Sequence, residues 1–141
     1  MVELRKAKPE DRNILTALLW ENEMEYVDPV EHYVLAVDDK EIMGCGRSED
    51  YEGMVMIRPV VVSRKYRRQG IGRLLLKGIM PADRPTVLVA RRESLEFYEA
   101  LGFSKAKWEM MPPTQQGECT SCPHRIECQP QPMICNLGSR G

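Results

Sequence analysis

The chain has 141 residues, 43% of them apolar and 29% charged, which fits one globular domain and leaves little room for a second core. Its 20 basic and 21 acidic side chains leave a net charge of −1, so overall charge points to neither a nucleic acid nor a membrane as partner. No apolar stretch approaches the roughly 20 residues of a membrane span. The first residues, Met1-Val2-Glu3-Leu4-Arg5-Lys6, lack the apolar core of a secretory leader, so the cytoplasm is the expected location.

Apolar and polar residues alternate over residues 2–7, which predicts a half-buried strand. Pro9 suits the first turn of a helix, with Glu10 and Asp11 favourable at its positive end. Ile14, Leu15, Leu18 and Leu19 recur at helical spacing, so a helix is expected from about residue 10 to 25. Strands are predicted over 33–37 and 41–47, joined by Asp38-Asp39-Lys40, and a longer β-branched strand over 54–63. A glycine-bearing loop leads into a helix through Leu74, Leu75, Leu76 and Ile79. A buried strand over 85–90, a helix over 93–101 ended by Gly102 and a last strand over 103–110 follow. Strands and helices alternating from residue 54 onward imply a partly parallel sheet with packed helices. From Pro112 the composition turns to Pro, Gln, Cys and Thr with few core formers. The expected organisation is therefore a domain over 1–111 and an appended tail over 112–141.

Charge is unevenly placed. Between Arg58 and Arg73 lie Arg64, Lys65, Arg67 and Arg68 and no acid, which suits either a solvated basic face or a polyanionic ligand. Within that stretch Val60-Val61-Val62 runs into Arg67-Arg68-Gln69-Gly70-Ile71-Gly72 and then into a helix. Glycines let backbone approach a ligand, and the free N–H groups of a helix start favour phosphate. Arg67, Arg68 and Arg73 can add charge-assisted hydrogen bonds. The loop has neither the Gly-Lys-Ser/Thr of a P-loop nor a dinucleotide-binding fingerprint.

Residues 62–72, Val-Ser-Arg-Lys-Tyr-Arg-Arg-Gln-Gly-Ile-Gly, resemble the acetyl-CoA-binding signature of the GNAT N-acetyltransferase family, although that family's frequent proline is absent at Arg64. Residues 94–103, Ser-Leu-Glu-Phe-Tyr-Glu-Ala-Leu-Gly-Phe, are similar to the family's later helix–strand motif, in the expected order. The resemblance covers roughly residues 2–110 and implies an α/β fold: a mixed, mostly antiparallel central sheet with splayed strands and helices on both faces. It further implies that backbone groups of Val60, Val61 and Val62 meet the pantetheine arm of acetyl-CoA. The amides of Arg67, Arg68, Gln69, Gly70, Ile71, Gly72 and Arg73 would hold the pyrophosphate. Arg91 stands where the family frequently carries a cofactor-binding asparagine. Tyr98 is the implied general acid for the departing thiolate, against the alternative of a packed helix tyrosine. Dimers are common among such proteins, so a homodimer is one expected state.

An amine near pKa ~10 must lose a proton before it attacks a thioester. Glu21, Glu23, Glu25, Asp50 and Glu52 are the candidate carboxylates, and the spacing selects none of them. His32 and His124 read as structural or surface residues. Gly44-Cys45-Gly46, the run from Ile57 to Val62 and the late Cys-x-x-Cys-Pro are similar to short N-acetylglutamate synthase-like members, with Met56 departing from their pattern. That similarity makes Arg58 the binder of an acceptor carboxylate, against a plain pairing with Asp50 or Glu52. An amino acid or another small carboxylate-bearing amine is the leading acceptor. A protein or peptide amine, or a CoA-binding sensor without turnover, are the alternatives.

Cys119, Cys122, Cys128 and Cys135 crowd the tail. Four thiolates suit a tetrahedral zinc site or an iron–sulfur cluster. Redox disulfides and thiols without a ligand stay open beside them. Cys45 reads as a small core residue.

Overall fold

The computed structural model describes residues 1–112 and 129–136. The strands follow the order β1-β2-β3-β4-β5-β7-β6, and the chain divides into two compact units. One unit comprises Met1–Glu49 and Ile57–Met80; the other comprises Asp50–Met56 and the chain from Pro81 onward. Strands β3 (Glu41–Tyr51) and β4 (Met54–Val62) contribute residues to both. The pairs β1–β2, β2–β3, β5–β7 and β6–β7 are antiparallel and β4–β5 is parallel, which is the mixed, mostly antiparallel sheet expected. No helix among the described residues is long and apolar enough to cross a membrane.

In the first unit β1 (Val2–Lys6) pairs with β2 (Tyr33–Asp38) from Val2↔Asp38 to Lys6↔Val34. Alternate residues of a strand face opposite ways, and each face of β2 finds a helix. Tyr33, Leu35 and Val37 pack with Leu15, Leu18 and Leu19 of α1 (Arg12–Glu21), beside Cys45 and Val61. Val34 and Ala36 pack with Ile71 and Leu75 of α2 (Ile71–Ile79), beside Met43, Val60 and Val62. Asp11 organises the approach to α1. Its carboxylate accepts both terminal nitrogens of Arg5, at 2.8 and 3.1 Å, and the backbone N–H of Lys8 at 2.7 Å. The helix is shorter than its apolar periodicity predicts. Glu23 adopts φ 61°, the Glu23 N–H donates to Trp20 O and the Met24 N–H to Leu19 O. That is a Schellman ending, which turns the chain out of the helix whatever its later apolar pattern.

In the second unit the β4–β5 ladder comprises Val55↔Thr86 and Met56↔Val87, with β5 spanning Thr86–Ala90. α3 (Leu95–Ala100) follows and ends at Gly102, φ 99°. The strand predicted over 103–110 shrinks to β6 (Ser104–Lys105), with a 3-10 turn at Trp108–Met110. Its partner explains the loss. The Ala106 N–H donates to Pro132 O at 2.9 Å, but proline has no N–H to return the bond. That partner is β7 (Gln131–Cys135), a strand in residues read as a core-poor tail. It pairs with β5 from Thr86↔Cys135 to Ala90↔Gln131 and with β6 on its other side. Ile134 joins Met56, Val87 and Met111 in a core cluster, so the fold does not stop at residue 111.

Two outcomes follow. A Cβ at Gly44 would lie 2.7 Å from the Val61 carbonyl oxygen, a backbone atom of the neighbouring strand. Gly44→Ala is therefore expected to lower stability by about 1–3 kcal/mol, read from the urea midpoint; an unchanged midpoint would contradict that close approach. The Arg5 hydrogen bonds, ahead of any other cause, hold the Asp11 carboxyl below its ordinary 3.8. Its stabilisation is thus present above that value and lost as pH falls through the folded pKa. The wild-type melting temperature should drop below about pH 4 more steeply than that of Asp11→Asn.

Candidate active site

The loop after β4 is shaped by two left-handed residues. The Ser63 N–H donates to Met43 O at 2.8 Å, a 3-10 turn spans Arg64–Tyr66, and then Arg68 (φ 66°) and Gly70 (φ 78°) redirect the chain into α2. For an arginine this conformation costs about 1 kcal/mol; glycine adopts it freely. The first bond of α2 runs from Leu74 N–H to Gly70 O at 3.0 Å. The backbone N–H groups of Arg68, Gln69, Gly70, Ile71, Gly72 and Arg73 have no acceptor among the described residues, and no side chain caps the helix. They form a donor set at the positive end of a helix dipole, where an anion is favoured. An added Cβ at Gly70 would meet nothing within 4 Å, so the space beside the donors is open.

The side chains around this loop divide by task. Ile71 is buried against the sheet, so only its N–H faces this role. Arg67 Nε donates to Val62 O at 3.3 Å, and its Nη2 donates a short hydrogen bond to Asn22 Oδ1. Arg64 reaches Glu21 O at 3.5 Å. Both cations thus tie the loop to the C-terminal end of α1, the negative end of that dipole. Arg68, Gln69 and Arg73 are exposed. In the strand, Val61 is buried on the α1 face, while Val60 and Val62 are half-buried on the α2 face.

The second unit holds Tyr98 on α3. Its ring meets those of Phe97 and Phe103 edge-on, at centroid distances of 5.1 and 5.7 Å. The phenol has no hydrogen-bond partner among the described residues, and burial pushes its pKa upward. The Arg91 carbonyl accepts the Ser94 N–H at 2.9 Å at the start of the turn leading to α3, and the Arg91 side chain is exposed.

Arg58 is exposed on β4; Asp50, one of the partners considered for it, pairs with Arg84 at 3.2 Å. Glu21, Glu23, Glu25, Asp50 and Glu52 are all exposed, so burial sets none apart as a base. Cys45 is buried and its thiol is pushed up to about 12, which suits an inert core residue. Cys119, Cys122, Cys128 and His124 lie outside the described residues. Cys135 is a buried residue of β7, and no group of three or more His, Cys, Asp or Glu among the described residues could hold a metal.

One buried cation carries no motif. Arg47 of β3 is 8% exposed and pairs across the sheet with Tyr33, as Cys45 does with Leu35. Period two was its only signal in the sequence, since it places Arg47 two residues after Cys45 on the same face.

The acetyltransferase (GNAT) domain family matches residues 29–105, more than half of the chain. The chain belongs to the GNAT family. It is an acetyl-CoA-dependent acyltransferase. An uncharacterized N-acetyltransferase of Chlorobaculum tepidum is 23% identical over 115 residues, which are 79% of this chain and 74% of that one. Two solved structures share the fold at lower identity. N-acetylglutamate synthase from Neisseria gonorrhoeae, complexed with coenzyme A and N-acetyl-glutamate, superposes with a TM-score of 0.76 at 17% identity. The match covers 97% of this chain and 35% of that protein, so the GNAT chain spans about a third of its length. The ribosomal-protein-S18-alanine N-acetyltransferase from Escherichia coli gives 0.73 at 15% identity, covering 100% and 97% of the two chains.

Gly70→Val places a β-branched residue at a positive φ beside the open donor set. It is expected to cost about 1–2 kcal/mol in stability and to weaken binding of CoA, read by calorimetry at a temperature where the variant is folded. Unchanged CoA affinity would detach the loop from the donor site.

Proposed function

We propose that the chain transfers an acetyl group from acetyl-CoA to the primary amine of a small molecule, with an amino acid or a similar carboxylate-bearing amine as acceptor. The row of N–H groups from Arg68 to Arg73 without an acceptor carries the donor half of this reading, because a pyrophosphate supplies the acceptors they lack. The Arg67 amide, which donates a long bond to Arg64 O at 3.5 Å, lies at the edge of that row, while its side chain fixes the loop to α1. Backbone groups of Val60, Val61 and Val62 meet the pantetheine arm, and Arg91 adds a side-chain contact. On the acceptor side a planar guanidinium matches a carboxylate in a two-pronged geometry, and the resemblance to N-acetylglutamate synthase-like members names the exposed Arg58 for that place.

The amine attacks the thioester carbonyl carbon directly. The carbon–sulfur bond then breaks, and Tyr98 gives its phenolic proton to the leaving thiolate, yielding an amide and free CoA. The raised pKa of Tyr98 keeps that proton in place at neutral pH. The proton lost by the amine passes to water or to one of the exposed carboxylates.

Thiol release from acetyl-CoA, measured across amino acids, polyamines and peptides, is expected to be fastest with amino acids. Turnover with peptides alone would move the acceptor to a protein amine. CoA binding without turnover on any amine would leave a sensor. Tyr98→Phe should lower kcat by about 10²-fold with little change in KM for acetyl-CoA. Because burial raises the phenol's pKa, wild-type activity should lose its acid only above the ordinary tyrosine range. A Tyr98→Phe enzyme with full turnover and the same alkaline limb would remove that role.

A further inference from the structure

Arg47 is bonded too poorly to be a finished structural contact. Its Nε is buried and has no hydrogen-bond partner among the described residues. Nη2 reaches the Asp28 carbonyl only at 3.4 Å, and Nη1 lies 3.5 Å from Glu49, whose side chain is about half exposed. Good charge-assisted bonds are nearer ~2.8 Å. The edge formed by Nε and Nη2, which a carboxylate grips with both oxygens, therefore holds one long bond and one orphan donor. The pair with Glu49 touches Nη1 alone, and an unpaired buried donor such as Nε calls for a physical reason.

Its surroundings are built on the same face of the sheet. Tyr33, the cross-strand partner of Arg47, accepts the Val27 N–H at its hydroxyl, at 3.1 Å. Tyr26 stacks on Tyr33 with centroids 5.5 Å apart and planes 13° apart. The carboxylate of Asp28 could have neutralised Arg47 but is turned elsewhere. It accepts the Tyr26 hydroxyl at 2.9 Å and lies 3.8 Å from Arg12, so that the hydrogen bond Asp28 offers Arg47 is to its main-chain carbonyl. One long bond, from Nη2 to Asp28 O, joins the guanidinium to the loop over residues 22–29.

We propose that Arg47 is an acceptor-carboxylate site: the carboxylate of a small amine displaces the Asp28 carbonyl and takes the Nε–Nη2 edge, beside the Tyr26–Tyr33 stack. The proposal rests on the small-carboxylate reading above and moves its anchor from the exposed Arg58 to a buried cation, whose hydrogen bonds are stronger away from water.

The test compares L-amino acids with their α-amides, which lack the charge, as acceptors for wild type, Arg47→Met, Arg47→Lys and Arg58→Met. Wild type should favour the acids by on the order of tenfold or more in kcat/KM. Arg47→Met should abolish that preference while keeping its KM for acetyl-CoA. Arg47→Lys retains the charge without the fork, keeps the fold if the methionine variant does not, and should lose most of the preference. Arg58→Met tells the two arginines apart, since a preference that survives it leaves Arg47 as the anchor. Equal losses on acids and amides in the Arg47 variants, or a preference that disappears only with Arg58, would overturn the proposal. If no amine turns over, calorimetry of the CoA-loaded protein with N-acetylated amino acids and their amides separates the two failures. Binding of the acids that depends on Arg47 sinks the transfer reading alone, and its absence sinks both.

Discussion

An α-helix leaves the N–H groups of its first turn without intrahelical partners, and at α2 the protein leaves them so. The left-handed turn at Arg68 and Gly70 removes the approaching chain from the helix axis, so no residue caps it. Everything near that turn serves to hold it in place. Ile71 and Leu75 anchor the helix to the sheet, Ser63 is tied to β3 through Met43, and Arg67 and Arg64 bind the end of α1. The loop is thus rigid in its attachments and unsatisfied in its donors, which is the condition for an anion site that needs little rearrangement to fill.

The same economy appears at Gly44, where the absence of a side chain lets β3 approach the Val61 carbonyl. Val61 faces α1, whereas Val60 and Val62 face α2, so the strand leading into the loop is held from both sides. Arg47 stands apart from this pattern of satisfied packing. It is a buried cation whose nearest carboxylates are half exposed or directed elsewhere, and an incomplete hydrogen-bond set is expected where a ligand is meant to complete it.

Much of the framework was legible in the residues. Alternation marked β1, the triple valine marked β4, and the glycines with their flanking arginines marked the loop. The departures have specific causes. α1 ends early because Glu23 closes a Schellman motif, a conformational choice no periodicity reveals. The strand expected over 103–110 is cut to two residues because its partner presents Pro132 at the point where the ladder would continue. Gln131–Cys135 reads as tail because its apolar residues stand in a stretch otherwise rich in Pro, Gln, Cys and Thr. Yet Met133, Ile134 and Cys135 are buried, since the strand lies between two others and is covered by contacts distant in sequence.

What the sequence by itself determined is the family and with it the acyl donor: the residues around Arg67 to Gly72 and Tyr98 resemble GNAT motifs, and the family match over residues 29–105 agrees with that resemblance. Tertiary structure decided which groups of that loop are available. It buried the side chain of Ile71, turned Arg67 toward Asn22 and left the amides open. It also exposed Arg58 and buried Arg47, two arginines that a sequence cannot rank. The physical reason is that a motif fixes backbone conformation over a few residues, whereas burial and hydrogen-bond completion depend on segments brought together by folding.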